Sequence, residues 1–96
     1  MNTQALRNYS PAMRALIQSH VEAAVIFVQE MVKDDPVEYE DYTVKMLNGT
    51  VAAVAIDFVA QDLDPDGGDT DLIPAEMQAA IGEFVKDNFT VSFKLG

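Results

Sequence analysis

Between Ser10 and Pro36 apolar side chains return every three or four residues, and this stretch limits the folds open to the chain more than any other. Ser10 is a good N-cap, and Pro11 takes the first helical position, where its missing N–H costs nothing. Met13, Leu16, Ile17, His20, Ala24, Phe27, Val28 and Met31 follow at helical steps, and Lys33 before Asp34-Asp35-Pro36 ends the run. The spacing predicts a helix over 11–33. Its polar stripe is narrow, made of Arg14, Gln18, Glu22, Gln29 and Lys33 and interrupted by Ile26. A helix with so little polar surface is central to a core or is shared with a second copy of the chain, which makes a homo-oligomer through 11–33 the alternative to core packing. Residues 1–9 read as a flexible arm before a single globular domain over 10–96.

Residues 37–63 admit two readings. Asp35-Pro36-Val37-Glu38 has the form of a capping box, and Tyr39, Tyr42, Met46, Val51, Val54, Ala55 and Phe58 fit helical spacing. Leu47-Asn48-Gly49-Thr50, however, places Asn-Gly between β-rich flanks, the strongest short hairpin signal. A loop at Asn48–Thr50 would set Met46 opposite Ala52, Val44 opposite Val54 and Tyr42 opposite Ile56, with Lys45, Thr43, Asp41 and Asp57 on the other face. Phe89 to Leu95 alternates without a fault, and such a strand needs partners for its backbone, which a hairpin supplies. A second helix is expected at about 74–87, with Pro74 at its start, Met77, Ile81, Phe84 and Val85 on one face and Asn88 as a left-handed C-cap. The expected fold is therefore α+β, a three-stranded antiparallel sheet packed on two helices in the order α-β-β-α-β; the alternative is an all-α bundle.

Charge narrows the function classes. Sixteen acids stand against six bases, for a net charge of −10, and between Asp34 and Glu76 twelve acids face Lys45 alone. A field of that sign repels nucleic-acid phosphates and anionic membranes and attracts cations or basic partner surfaces. No cysteine is present, so disulfides, thiolate metal sites and cysteine nucleophiles are excluded. The first residues lack a basic start followed by an apolar run, and a cytoplasmic location is the default expectation.

The segment Asp62-Leu63-Asp64-Pro65-Asp66-Gly67-Gly68-Asp69-Thr70-Asp71 holds five carboxylates in ten residues. With Asp62 first, Asp64 third, Asp66 fifth and Gly67 sixth, its first half resembles the EF-hand calcium loop, in which alternate oxygen ligands converge around a sharp turn. The second half departs from that pattern, because Asp69 falls at the normally apolar eighth position and Ile73 at the bidentate twelfth. Treating Gly68-Asp69-Thr70 as an insertion brings Glu76 to the twelfth position, so the candidate calcium ligands are Asp62, Asp64, Asp66 and Glu76. The plain reading is a turn, since Asp-Pro-Asp-Gly-Gly favours one.

Little material exists for catalysis: one histidine on an apolar helix face, serines only at Ser10, Ser19 and Ser92, and no phosphate-binding glycine motif. A non-enzymatic role is expected. Asp34, Asp35, Glu38, Tyr39, Glu40 and Asp41 make a different constellation, in which acids steer and pair with a Lys- or Arg-rich surface while a tyrosine ring supplies area and cation–π contact. The leading expectation is an acidic protein-interaction module whose partner is a basic surface of another protein, with a small inhibitor that occupies a nucleic-acid-binding groove as its sharpest form. A calcium-binding domain is the alternative.

Overall fold

The first helix begins where its sequence says it should. The Ser10 side-chain Oγ accepts from the Met13 backbone N–H at 3.2 Å, Pro11 follows, and the helix runs from Pro11 to Asp34 (α1). The computed structural model describes residues 2–89 and contains two further helices, Val44–Leu63 (α2) and Ala75–Phe89 (α3), with single 3-10 turns at Gln4–Leu6 and Thr70–Leu72. The buried stripe of α1 is built on Ile17, Val21, Ala24, Val25, Val28 and Val32. The expected helical face was centred slightly off this stripe, so His20 and Met31 lie at its margins and Phe27 is half exposed. By length and composition α1 is also apolar enough to cross a membrane, and here its valine stripe forms part of the core.

The α+β expectation is overturned, because no strand occurs among the described residues and the all-helical alternative holds. The segment read as a hairpin is the interior of α2. Thr43 supplies the cap, its Oγ1 accepting from Met46 N at 3.2 Å, and Leu47, Val51, Ala55 and Val59 recur at four-residue steps with 0–1% exposure. Fully burying each Leu or Val contributes about 1.5–3 kcal/mol, whereas a glycine inside a helix costs about 1 kcal/mol against alanine. Helical burial thus outweighs the turn preference of Asn48-Gly49. Thr50 is accommodated as well, its hydroxyl donating to the Met46 carbonyl at 3.1 Å. The capping box at Asp35 yields only a turn, with Glu38 N–H reaching Asp35 Oδ1 at 3.4 Å.

The last helix starts one residue after Pro74 and buries Met77, Ile81, Phe84 and Val85 as its spacing predicts. Asn88 is not a left-handed cap: no described residue other than glycine has positive φ. It remains helical, donates to Phe84 O at 2.8 Å and to Asn2 O at 2.7 Å, and accepts from Asn2 N at 2.6 Å. That clasp, with fully buried Leu6, lays the N-terminal residues along α3. Of the alternating C-terminal run, Phe89 closes α3, and 90–96 lie outside the described residues.

The second helix is the centre of the architecture. It packs against both α1 and α3, which touch each other less, and it is apolar on most of its circumference for that reason. The described molecule measures 38 × 31 × 19 Å, so its short axis is about two helix diameters deep.

Candidate functional site

The two acidic segments are the two links between helices, and α2 holds them apart. The α1–α2 link covers 35–43 and the α2–α3 link 64–74, at opposite ends of a helix about 30 Å long. They form two separate surfaces.

Asp34, the last residue of α1, and Asp35, Glu38, Glu40 and Asp41 of the first link are all exposed. The link is held by its tyrosines: Tyr39 and Tyr42 pack on the core with their rings edge to face at 4.9 Å, and Tyr42 N–H donates to Tyr39 O at 3.0 Å. Burial raises the Tyr39 phenol above its ordinary value, and Glu38, Tyr42 and Asp35 push it the same way, because an added negative charge would stand among theirs. Val37 lies between the acids with 74% of its surface exposed. The link is therefore an anchored loop that exposes carboxylates and one apolar side chain.

The candidate calcium ligands are drawn in different directions. Asp62 Oδ2 lies 3.0 Å from His20 Nε2, binding the end of α2 to the middle of α1. Asp64 Oδ1 accepts from Gly67 N–H at 3.3 Å, and Asp69 Oδ1 accepts from Asp71 N–H at 2.9 Å. Gly68 takes φ +58°, the left-handed conformation that favours glycine, and its N–H donates to Asp64 O at 2.8 Å. Asp66 is exposed. Glu76, in the first turn of α3, faces the N-terminal residues, where its charge adds to burial in raising the Tyr9 phenol. Among the described residues no group of three or more His, Asp or Glu side chains is arranged to hold a metal ion. No known protein family, no curated protein and no solved structure matches this chain.

One pairing was not anticipated from the sequence. His20 meets Asp62 and tilts against the Phe58 ring at 6.4 Å, and Phe58 in turn meets Phe27 edge to face at 6.0 Å. A carboxylate on one imidazole nitrogen fixes the ring orientation, as in a catalytic dyad. Ser19, the nearest hydroxyl in sequence, leaves α1 about 100° around the helix from His20. In this setting the pair joins α1 to α2, and the only hint in the sequence was the apolar surroundings of His20.

Proposed function

We propose that the protein is a non-enzymatic interaction module that engages a basic surface of another protein through the α1–α2 link. One observation carries the reading: Asp34 at the end of α1 and Asp35, Glu38, Glu40 and Asp41 on the loop anchored by Tyr39 and Tyr42 are all exposed, with Val37 exposed among them. Carboxylates that make few contacts within their own fold keep their charge and hydrogen-bonding capacity for a partner. An anchored loop loses less conformational freedom on binding than a loose one. Val37 supplies the apolar contact that a ring of charges alone lacks.

The test uses a lysine- and arginine-rich synthetic peptide as the basic partner, titrated against the whole protein. Binding should weaken steeply between low and physiological salt, because exposed charges are screened over about 8–10 Å. The triple change Glu38→Gln, Glu40→Gln, Asp41→Asn should remove most of it, while Asp66→Asn with Asp71→Asn should have a smaller effect. Binding that is indifferent to salt, or to the triple change, would refute the reading. Competition by duplex DNA for the peptide, in the presence of the protein, then probes the inhibitor form of the proposal.

A further inference from the structure

Two large apolar side chains of α1 stand outside the core: Ile26 is 61% exposed and its neighbour Phe27 is 48% exposed. Phe27 is nonetheless held in place. Its ring meets Phe58 of α2 at 6.0 Å with the planes 87° apart, and His20 backs Phe58 from the other side, tilted against it at 6.4 Å and bonded to Asp62 at 3.0 Å. One ring can cover only one face of another, and Phe27 keeps about half of its surface in solvent. The result is an ordered aromatic surface at the seam of α1 and α2.

Glu30 gives that surface its sign. Helical side chains lean toward the N-terminus, so Glu30 leans over Phe27 three residues back and Ile26 four residues back, with Cβ atoms about 5–6 Å apart. It is exposed, and among the described residues its carboxylate has no hydrogen-bond or ion-pair partner. Asp34, one turn further on and also exposed, carries the same charge to the start of the α1–α2 link. Lys33, the nearest base in sequence, leaves α1 about 120° around the helix from Phe27.

We infer that Phe27 and Glu30 form a seat for an arginine side chain of a basic partner, its guanidinium stacked on the ring and its N–H groups donating to the carboxylate. The seat rests on the reading of a basic partner given above and names the residue that partner presents here. A guanidinium is planar, weakly hydrated and suited to stacking on an aromatic face, whereas an ammonium is a compact and strongly hydrated charge. The seat therefore separates arginine from lysine, which the acids of the link attract alike. Ile26 lies beside the methylene stem, and a ring already fixed by Phe58 loses little freedom on binding. From Phe27 to Asp34 is about 10 Å, or about three residues of an extended partner chain, so one segment reaches both the seat and the link.

The test titrates two synthetic peptides of equal length and charge, one with arginine and one with lysine as its only base, against the intact protein while the ring resonances of Phe27 are followed. The arginine peptide should shift the ring and bind about fivefold more tightly. Phe27→Leu should abolish that preference by weakening the arginine peptide alone, and Phe27→Tyr, which keeps a ring at the position, should retain it. Glu30→Gln should weaken the arginine peptide more than the lysine peptide, while the triple change in the link should weaken both. Equal binding of the two peptides, or a preference that survives Phe27→Leu, overturns the seat and leaves the basic-partner reading standing; absence of salt-sensitive binding to either peptide overturns both. If, without peptide, the Phe27 resonances move with protein concentration or on adding phosphatidylcholine vesicles, the ring is covered by a second copy or a lipid surface, and the seat is overturned.

Discussion

The two helix links have similar acidity and opposite uses for it. Across the α2–α3 link the chain consumes much of its own charge: Asp62 meets His20, Asp64 and Asp69 accept backbone N–H groups, and Gln78 donates to Ile73 O at 2.9 Å and Thr70 O at 3.4 Å. Ile73, 2% exposed, pins that link to the core. In the α1–α2 link the anchors are Tyr39 and Tyr42, Asp35 alone of the acids accepts a backbone N–H, from Glu38 at 3.4 Å, and all of them are exposed. Density of carboxylates therefore does not identify a binding surface. What separates the links is how many of their carboxylates the fold already supplies with donors, since a charge-assisted hydrogen bond made at home is not available to a partner.

If the tyrosines are what hold the first link, removing one should do the most damage. Tyr42→Ala should cost about 2–3 kcal/mol, below the full value for a buried aromatic because the ring is only partly enclosed, and urea unfolding would measure it. It should also weaken basic-peptide binding although no carboxylate has been removed; unchanged binding would mean that the link needs no anchor. In the second link the backbone matters more than any ring. Gly68→Ala forces a Cβ into the left-handed conformation at φ +58° and should cost about 1–2 kcal/mol. Removing charge should then separate the links directly. Asp64→Ala deletes an acceptor of the Gly67 N–H and should cost about 0.5–1.5 kcal/mol, whereas Glu40→Gln should change stability by less than about 0.5 kcal/mol. Equal costs would erase the distinction between the two links.

The sequence was legible where one signal stood unopposed. Ser10-Pro11 and the apolar period placed α1 to within a residue of its end, and Met77, Ile81, Phe84 and Val85 placed the buried face of α3. It misled where local and tertiary preferences disagreed. Asn48-Gly49 is a strong turn signal, but Leu47, Val51, Ala55 and Val59 bury together only if the chain stays helical through it. The cap that decides the matter, Thr43, was read as a polar-face strand residue. The candidate site followed the same division. The acids between Asp34 and Asp41 were singled out from charge alone, yet the distance between the two acidic links depends on α2 being one uninterrupted helix. The carboxylate pattern of Asp62, Asp64 and Asp66 looked like a ligand set because spacing carries no record of Asp62 meeting His20, forty-two residues away in the chain.

The smallest expected effect tests the electrostatics of the first link alone. The Tyr39 phenol is raised by burial and by Glu38, Tyr42 and Asp35, so the folded state holds its proton more tightly than the unfolded chain does. The stability this contributes is fully present below about pH 10, the ordinary phenol value, and is lost as pH rises through the raised folded value. Tyr39→Phe should therefore flatten part of the decline in stability above about pH 10. Tyr9 is raised too, by burial and then by Glu76, at the other end of α2, and Tyr9→Phe should remove a separate part of the same decline. The two can be told apart by neutralising their neighbours: Glu38→Gln should shrink the Tyr39 contribution and leave that of Tyr9, and Glu76→Gln should do the reverse. Urea unfolding across that pH range, repeated in each background, measures this. If Glu38→Gln leaves the Tyr39 contribution unchanged, Glu38 acts on solvent and partners without acting on the anchor of its own link, and burial with Tyr42 and Asp35 raises the phenol.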